Sequence, residues 1–143
     1  MAARAVGDSV GVTYELDPDV CRVRVDPAQI QRVLLNLLAN AADATGRHGS
    51  IVVRTANARS APRVGLEDGG YAVVSVEDFG AGIDRGLVEH LFEPFFTTKD
   101  VGLGLGLGLA ASYGIAKQSG GTIVVDSEPG RGSIFSVYLP AAT

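Results

Sequence analysis

Residues 101–110 read Val-Gly-Leu-Gly-Leu-Gly-Leu-Gly-Leu-Ala, with glycine and leucine alternating four times. Glycine loses the most backbone freedom on ordering and offers no side chain to pack, so the run makes a poor strand. It is no membrane span either, since it falls short of the roughly 20 apolar residues a bilayer needs. Downstream, AASYGIAKQSGG predicts a helix over Ala110–Ser119, stopped by Gly120 and Gly121. The stretch therefore predicts a flexible glycine loop feeding a helix N-terminus, where free N–H groups and the helix dipole suit a phosphate. No Gly-Lys-Ser/Thr follows, which excludes a P-loop, and glycines at i, i+2, i+4 do not fit the dinucleotide fingerprint. The competing reading is a low-complexity linker. Lys99, one of two lysines in the chain, stands just before the run.

The rest of the composition narrows the class. At 143 residues the chain is expected to form one domain, long enough to bury about two-thirds of its unfolded surface. Its 46% hydrophobic and 20% charged residues are globular rather than disordered proportions. A net charge of −4 leaves no basic footprint for nucleic acid. The single Cys21 excludes an internal disulfide and a cysteine metal cluster, and predicts a half-buried thiol in a reducing, cytoplasmic compartment. The opening MAARAVGDSV has no apolar h-region, so no signal peptide is expected; a membrane-anchored parent protein stays open.

Val10–Glu15 and Arg22–Val25 predict two short strands around an Asp17-Pro18-Asp19 turn. Asp26-Pro27 then supplies an N-cap and a proline at the first helical position. Ile30, Val33, Leu34, Leu37, Leu38 and Ala41 follow at helical spacing, predicting a helix to about Ala44. Asn36, Asn40 and Asp43 fall at i, i+4, i+7, on one polar face beside that stripe. Asparagine is a poor helix-interior residue, so two of them there need a reason; a solvated face or a bond to a neighbouring loop would also supply one.

Ser50–Ala56 and Tyr71–Val76 predict an antiparallel pair joined by a polar, glycine-rich connection. The second strand runs into Glu77-Asp78-Phe79-Gly80-Ala81-Gly82-Ile83, where the glycines would allow a flat ligand close to the carboxylate. A plain turn is the alternative. Asp84–Glu89 predicts a short helix, and the aromatic cluster Leu91–Phe96 a hydrophobic plug for a loop. Thr122–Asp126 and Ser133–Tyr138 predict a closing hairpin about Glu128–Gly132. Hairpins with helices to one side predict an α+β two-layer sandwich, its sheet mixed but mostly antiparallel, packed against about three helices.

Each motif is modest alone, but their order is specific. Asn36-Leu-Leu-Ala-Asn40-Ala resembles the N box of histidine kinases, and Asp78-Phe-Gly80-Ala-Gly82 resembles their G1 box. Phe92-Glu-Pro-Phe95-Phe96-Thr-Thr-Lys99 is similar to the F box, and Gly104-Leu-Gly106-Leu-Gly108-Leu to the G2 box. The resemblance covers about Val10 to Pro140. The F-box wording and the Ser127-Glu-Pro-Gly130 turn resemble the nitrogen-regulation-like branch.

The resemblance implies a single ATP-binding catalytic domain of a sensor histidine kinase, with the Bergerat sandwich shared with gyrase, the Hsp90 chaperones and MutL. It implies Asp78 as acceptor of the adenine amino group, Gly80, Gly82 and Ile83 against the base, and Asn40 as a Mg²⁺ ligand. Asn36 would position the phosphate or a metal-bound water. Thr98, Lys99, Gly104, Leu105, Gly106, Leu107 and Gly108 would lie about the triphosphate, in a flexible ATP lid running from about Leu91 to Gly108. Asn36 and Lys99 would serve the chemistry. Asn36 stands where the water-activating branches carry a glutamate, and an amide cannot take up a proton at neutral pH.

Two departures matter. Asp43 belongs to the expected nucleotide site, yet it is acidic where many relatives carry a phosphate-touching base, shifting that burden to Lys99 and Arg47. Leu105 replaces the usual threonine, so backbone N–H groups must serve there. His48 and His90 are the only histidines, and neither lies in a His-Glu helical context. The expected partner is a histidine-bearing dimerisation domain, upstream or in trans, and through it a response regulator. The alternatives are another ATPase or serine kinase of the superfamily, or a nucleotide-blind phosphotransfer scaffold.

Overall fold

Asp26 opens the first helix by taking an extended conformation while its carboxylate accepts the Ala28 N–H at 2.9 Å. Pro27 fills the first turn, where a missing N–H costs nothing. The helix α1, Pro27–Ala44, ends where the Thr45 N–H reaches the Ala41 carbonyl at 3.1 Å and the Thr45 hydroxyl donates to Ala42. Val33, Leu37, Leu38, Ala41 and Ala42 form its buried stripe. These elements come from a computed structural model, which describes residues 10–45, 49–59, 69–88 and 105–142.

β1 (Val10–Glu15) lies parallel to β2 (Gly49–Ala58), because α1 carries the chain back between them. β3 (Tyr71–Asp78) runs antiparallel to β2 and to β5 (Gly132–Pro140), which pairs with β4 (Thr122–Glu128). The sheet order is β1-β2-β3-β5-β4. One face presents Ile51, Val53, Val76, Ile123, Phe135, Val137 and Leu139 to α1 and to α3 (Leu105–Gln118), and the buried core lies between. A single turn, α2 (Arg85–Val88), precedes α3. The opposite face, uncovered by any helix among the described residues, carries cross-strand polar pairs, Arg54 bridging Glu15 and Glu77, and Ser75 bonded to Ser136 at 3.0 Å. This is the mixed α+β sandwich the sequence predicts.

The strands β2 to β5 run one or two residues past their expected ends, and two elements depart further from expectation. Arg22–Val25 is not a strand; Val23 makes one isolated bridge to Ala141. The last helix begins at Leu105, not Ala110, so half of the glycine–leucine run is helical. Gly106 and Gly108 each disfavour that helix by about 1 kcal/mol relative to alanine. Burial of Leu109, Ser112 and Ala116 along its inner face offsets this. At its other end Gly120, at φ +86°, allows the Gly121 N–H to reach the Ala116 carbonyl at 2.9 Å, the stop expected of that pair.

Gly114 sits in the interior of α3, and a β-carbon there would have no neighbour within 4 Å. Gly114→Ala is expected to stabilise the fold by about 0.5–1 kcal/mol. The urea midpoint should rise while the slope of the transition stays the same.

Candidate functional site

Asp78 closes β3, opposite Ile51 on one side and Ser133 on the other, and only 1% of it is exposed. A buried carboxylate must be hydrogen-bonded. Its Oδ1 accepts the Gly80 N–H at 2.9 Å, which folds the next residues back over the strand end. Phe79, between them, is 56% exposed. A β-carbon on Gly80 would stand 2.2 Å from the Ala44 carbonyl oxygen, and one on Gly82 would stand 2.1 Å from that of Glu128. Gly82 also has φ +78°. The loop is thus pressed between the end of α1 and the β4–β5 turn, and both glycines are demanded by backbone packing before any ligand arrives.

Two further bonds hold this loop. The Gly130 N–H donates to Ala81 at 2.6 Å, and the Ile83 N–H donates to the Ser127 hydroxyl oxygen at 2.8 Å. Ser127 in turn donates to the Gly132 carbonyl at 3.0 Å, with the Ser133 hydroxyl 2.8 Å away. One donor and two acceptor sites of a single hydroxyl are therefore filled. Sequence reading singled out the Ser127–Gly130 turn but not this role, because the partner N–H lies 44 residues upstream.

On α1, Asn36, Asn40 and Asp43 are half-buried in a row that leads to Ala44, against which Gly80 packs. From Asn36 to Ala44 the helix rises about 12 Å. The far end meets α3, where Asn36 Nδ2 donates to the Gly108 carbonyl and to the Ser112 hydroxyl, each at 3.2 Å. The solvated-face reading of Asn36 is set aside by these two bonds. Ser112, fully buried, is a second residue that sequence reading missed; it stands one helical turn beyond Gly108, on the side facing α1. Leu105, Gly106, Leu107 and Gly108 form the first turn of α3 rather than a loop. Thr98, Lys99 and Gly104 lie outside the described residues, as do Arg47, His48, His90 and the Leu91–Phe96 cluster.

Residues 25–143 match the family described as histidine kinase-, DNA gyrase B- and HSP90-like ATPases. The chain belongs to this ATPase family. Among curated relatives, the sensor kinase CckA of Brucella abortus (strain 2308) is 43% identical over 145 residues, spanning 98% of this chain and 15% of that protein. The sensor histidine kinase ZraS of Klebsiella oxytoca is 38% identical over 136 residues, spanning 95% and 27%. The chain therefore spans about a quarter or less of these kinases. Among solved structures, full-length ShkA in complex with AMPPNP superposes with a TM-score of 0.76 at 27% identity, covering 99% of this chain and 27% of that one. Within this ATPase family the resemblance is to sensor histidine kinases, and ZraS fits the nitrogen-regulation-like branch. Among the described residues, no helix is long and apolar enough to cross a membrane.

Ser127→Ala removes the acceptor of the Ile83 N–H and the donor to Gly132 together. It is expected to cost about 1 kcal/mol in denaturant unfolding, since both bonds are part-buried. Amide exchange at Ile83 should accelerate in the same variant.

Proposed function

We propose that this domain binds Mg²⁺–ATP and passes the γ-phosphate to a histidine on a partner helical domain, the donor step of two-component signalling. The observation that carries the reading is one polar row on α1 that starts at Asn36 and leads to Ala44, against which Gly80, bonded to the buried Asp78 at the end of β3, packs. A carboxylate at the rigid end suits an exocyclic amino group, because an ionised acceptor pairs strongly and specifically with N–H. The amide end suits the phosphates and their cation. The donor set fits a hard divalent ion, which takes oxygen ligands and keeps several waters, so the Asn40 amide oxygen can be the only protein ligand. When bound, the cation would neutralise phosphate charge.

The residues of this chain bind and orient. Asp78 fixes the base, the loop Phe79–Ile83 flanks it, and Asn40 holds the cation. Asp43 stands in the same row without a phosphate role, and Lys99 with Thr98 is assigned to the triphosphate on the strength of the motif. The helix offers no general base at Asn36, since an amide does not take up a proton at neutral pH. That favours transfer to an imidazole nitrogen of the partner over activation of water. The acceptor histidine and, beyond it, a response regulator are the implied partners.

Calorimetric titration with Mg²⁺–ATP tests this directly. Asp78→Ala is expected to abolish detectable binding, and Asn40→Ala to reduce affinity mainly where Mg²⁺ is present. Tight binding retained by Asp78→Ala, in a variant that still melts cooperatively, would overturn the assignment.

A further inference from the structure

The bonds at Asn36 decide which end of its amide faces the nucleotide. The Gly108 carbonyl can only accept, so the atom beside it must be the Nδ2 donor. The second Nδ2 proton goes to the Ser112 hydroxyl oxygen at the same distance, 3.2 Å. The nitrogen end of the amide is then spent on α3, and Oδ1 is the amide atom left to accept from elsewhere. A β-carbon at Gly108 would lie 3.5–3.7 Å from the three amide atoms, ordinary contact, so α3 meets the amide without distorting it.

We propose that Ser112 is a positioning residue for phosphoryl transfer, fixing the Asn36 amide so that it offers its oxygen and not its nitrogen to the site. The inference rests on the nucleotide reading given above. It has a chemical consequence. An acceptor oxygen repels phosphate but welcomes a proton donor, so Asn36 serves the metal side through a cation-bound water and does not grip phosphate. Ser112 is fully buried on α3, and its hydroxyl accepts from Asn36. Because Gly108 and Ser112 sit on the helix that continues the glycine run, this pair of bonds also ties the orientation of Asn36 to the seating of α3.

A double-mutant cycle on the full chain tests this, with Mg²⁺–ATP and metal-free ATP titrated separately into Ser112→Ala, Asn36→Ala and the double variant. Ser112→Ala should weaken Mg²⁺–ATP binding by about three- to tenfold, the range for one neutral hydrogen bond. Metal-free affinity should stay unchanged, and the double variant should bind no more weakly than Asn36→Ala alone. Ser112→Thr, which keeps the hydroxyl, should retain wild-type affinity, and thermal melts separate lost binding from lost folding. Unchanged Mg²⁺–ATP affinity in Ser112→Ala, an equal loss with and without metal, or additive losses in the double variant would each overturn the inference and leave the nucleotide reading intact. Absence of Mg²⁺–ATP binding by the wild-type chain would overturn both.

Discussion

Burial of the Asp78 carboxylate at the end of the central strand constrains everything around it. A carboxylate taken out of water is costly unless neighbouring groups replace its hydration. Here the Gly80 N–H supplies one such bond, and reaching it forces the chain into a tight return that only glycine permits against the Ala44 carbonyl. That return would be loose by itself. The β4–β5 turn holds it from the far side through Gly130 and Ser127. The charge is thus kept in place by segments drawn from three regions of the chain, none of which could be moved without the others.

The same economy of position shapes the two long helices. α1 must fill the core with one stripe and carry the site on the next, so its amides lie at the boundary between apolar and polar surroundings. There a hydrogen bond counts for more than it would in water. α3 answers with a carbonyl and a hydroxyl rather than with bulk, and its first turn is glycine-rich where it approaches Asn36.

Much of this was legible from the residues. The Asp26-Pro27 start, the stripe through Leu37 and Ala41, and the Gly120–Gly121 stop all follow local rules that structure seldom overrides, and each stands where expected. The start of α3 was not legible, because alternating glycine and leucine disfavours a helix locally and burial against α1 and the sheet, which the local sequence does not show, compensates. Arg22–Val25 has strand-like residues, yet it meets only the end of β5, an interior strand already paired on both sides, which leaves it a single bridge. The four boxes pointed to Asp78, Asn36 and Asn40 as site residues. Ser112 and Ser127 carry no such signature, since a serine becomes informative only once its distant partner is known.

The open face of the sheet holds a final consequence, concerning register. Glu77 and Asp78 are adjacent acids, and the twofold alternation of a strand sends them to opposite faces. Glu77 goes outward to Arg54, whose guanidinium also meets Glu15 at 2.9 Å. Exposed ion pairs of this kind add little stability. They do discriminate between alignments, however. If β3 slid by one residue against β2, Glu77 would turn into the apolar layer and Asp78 would emerge into solvent, breaking the bridge and emptying the buried position in one move. An insertion or deletion within Tyr71–Asp78 would therefore break the outer ion pairs and empty the buried position together, however conservative the residues involved.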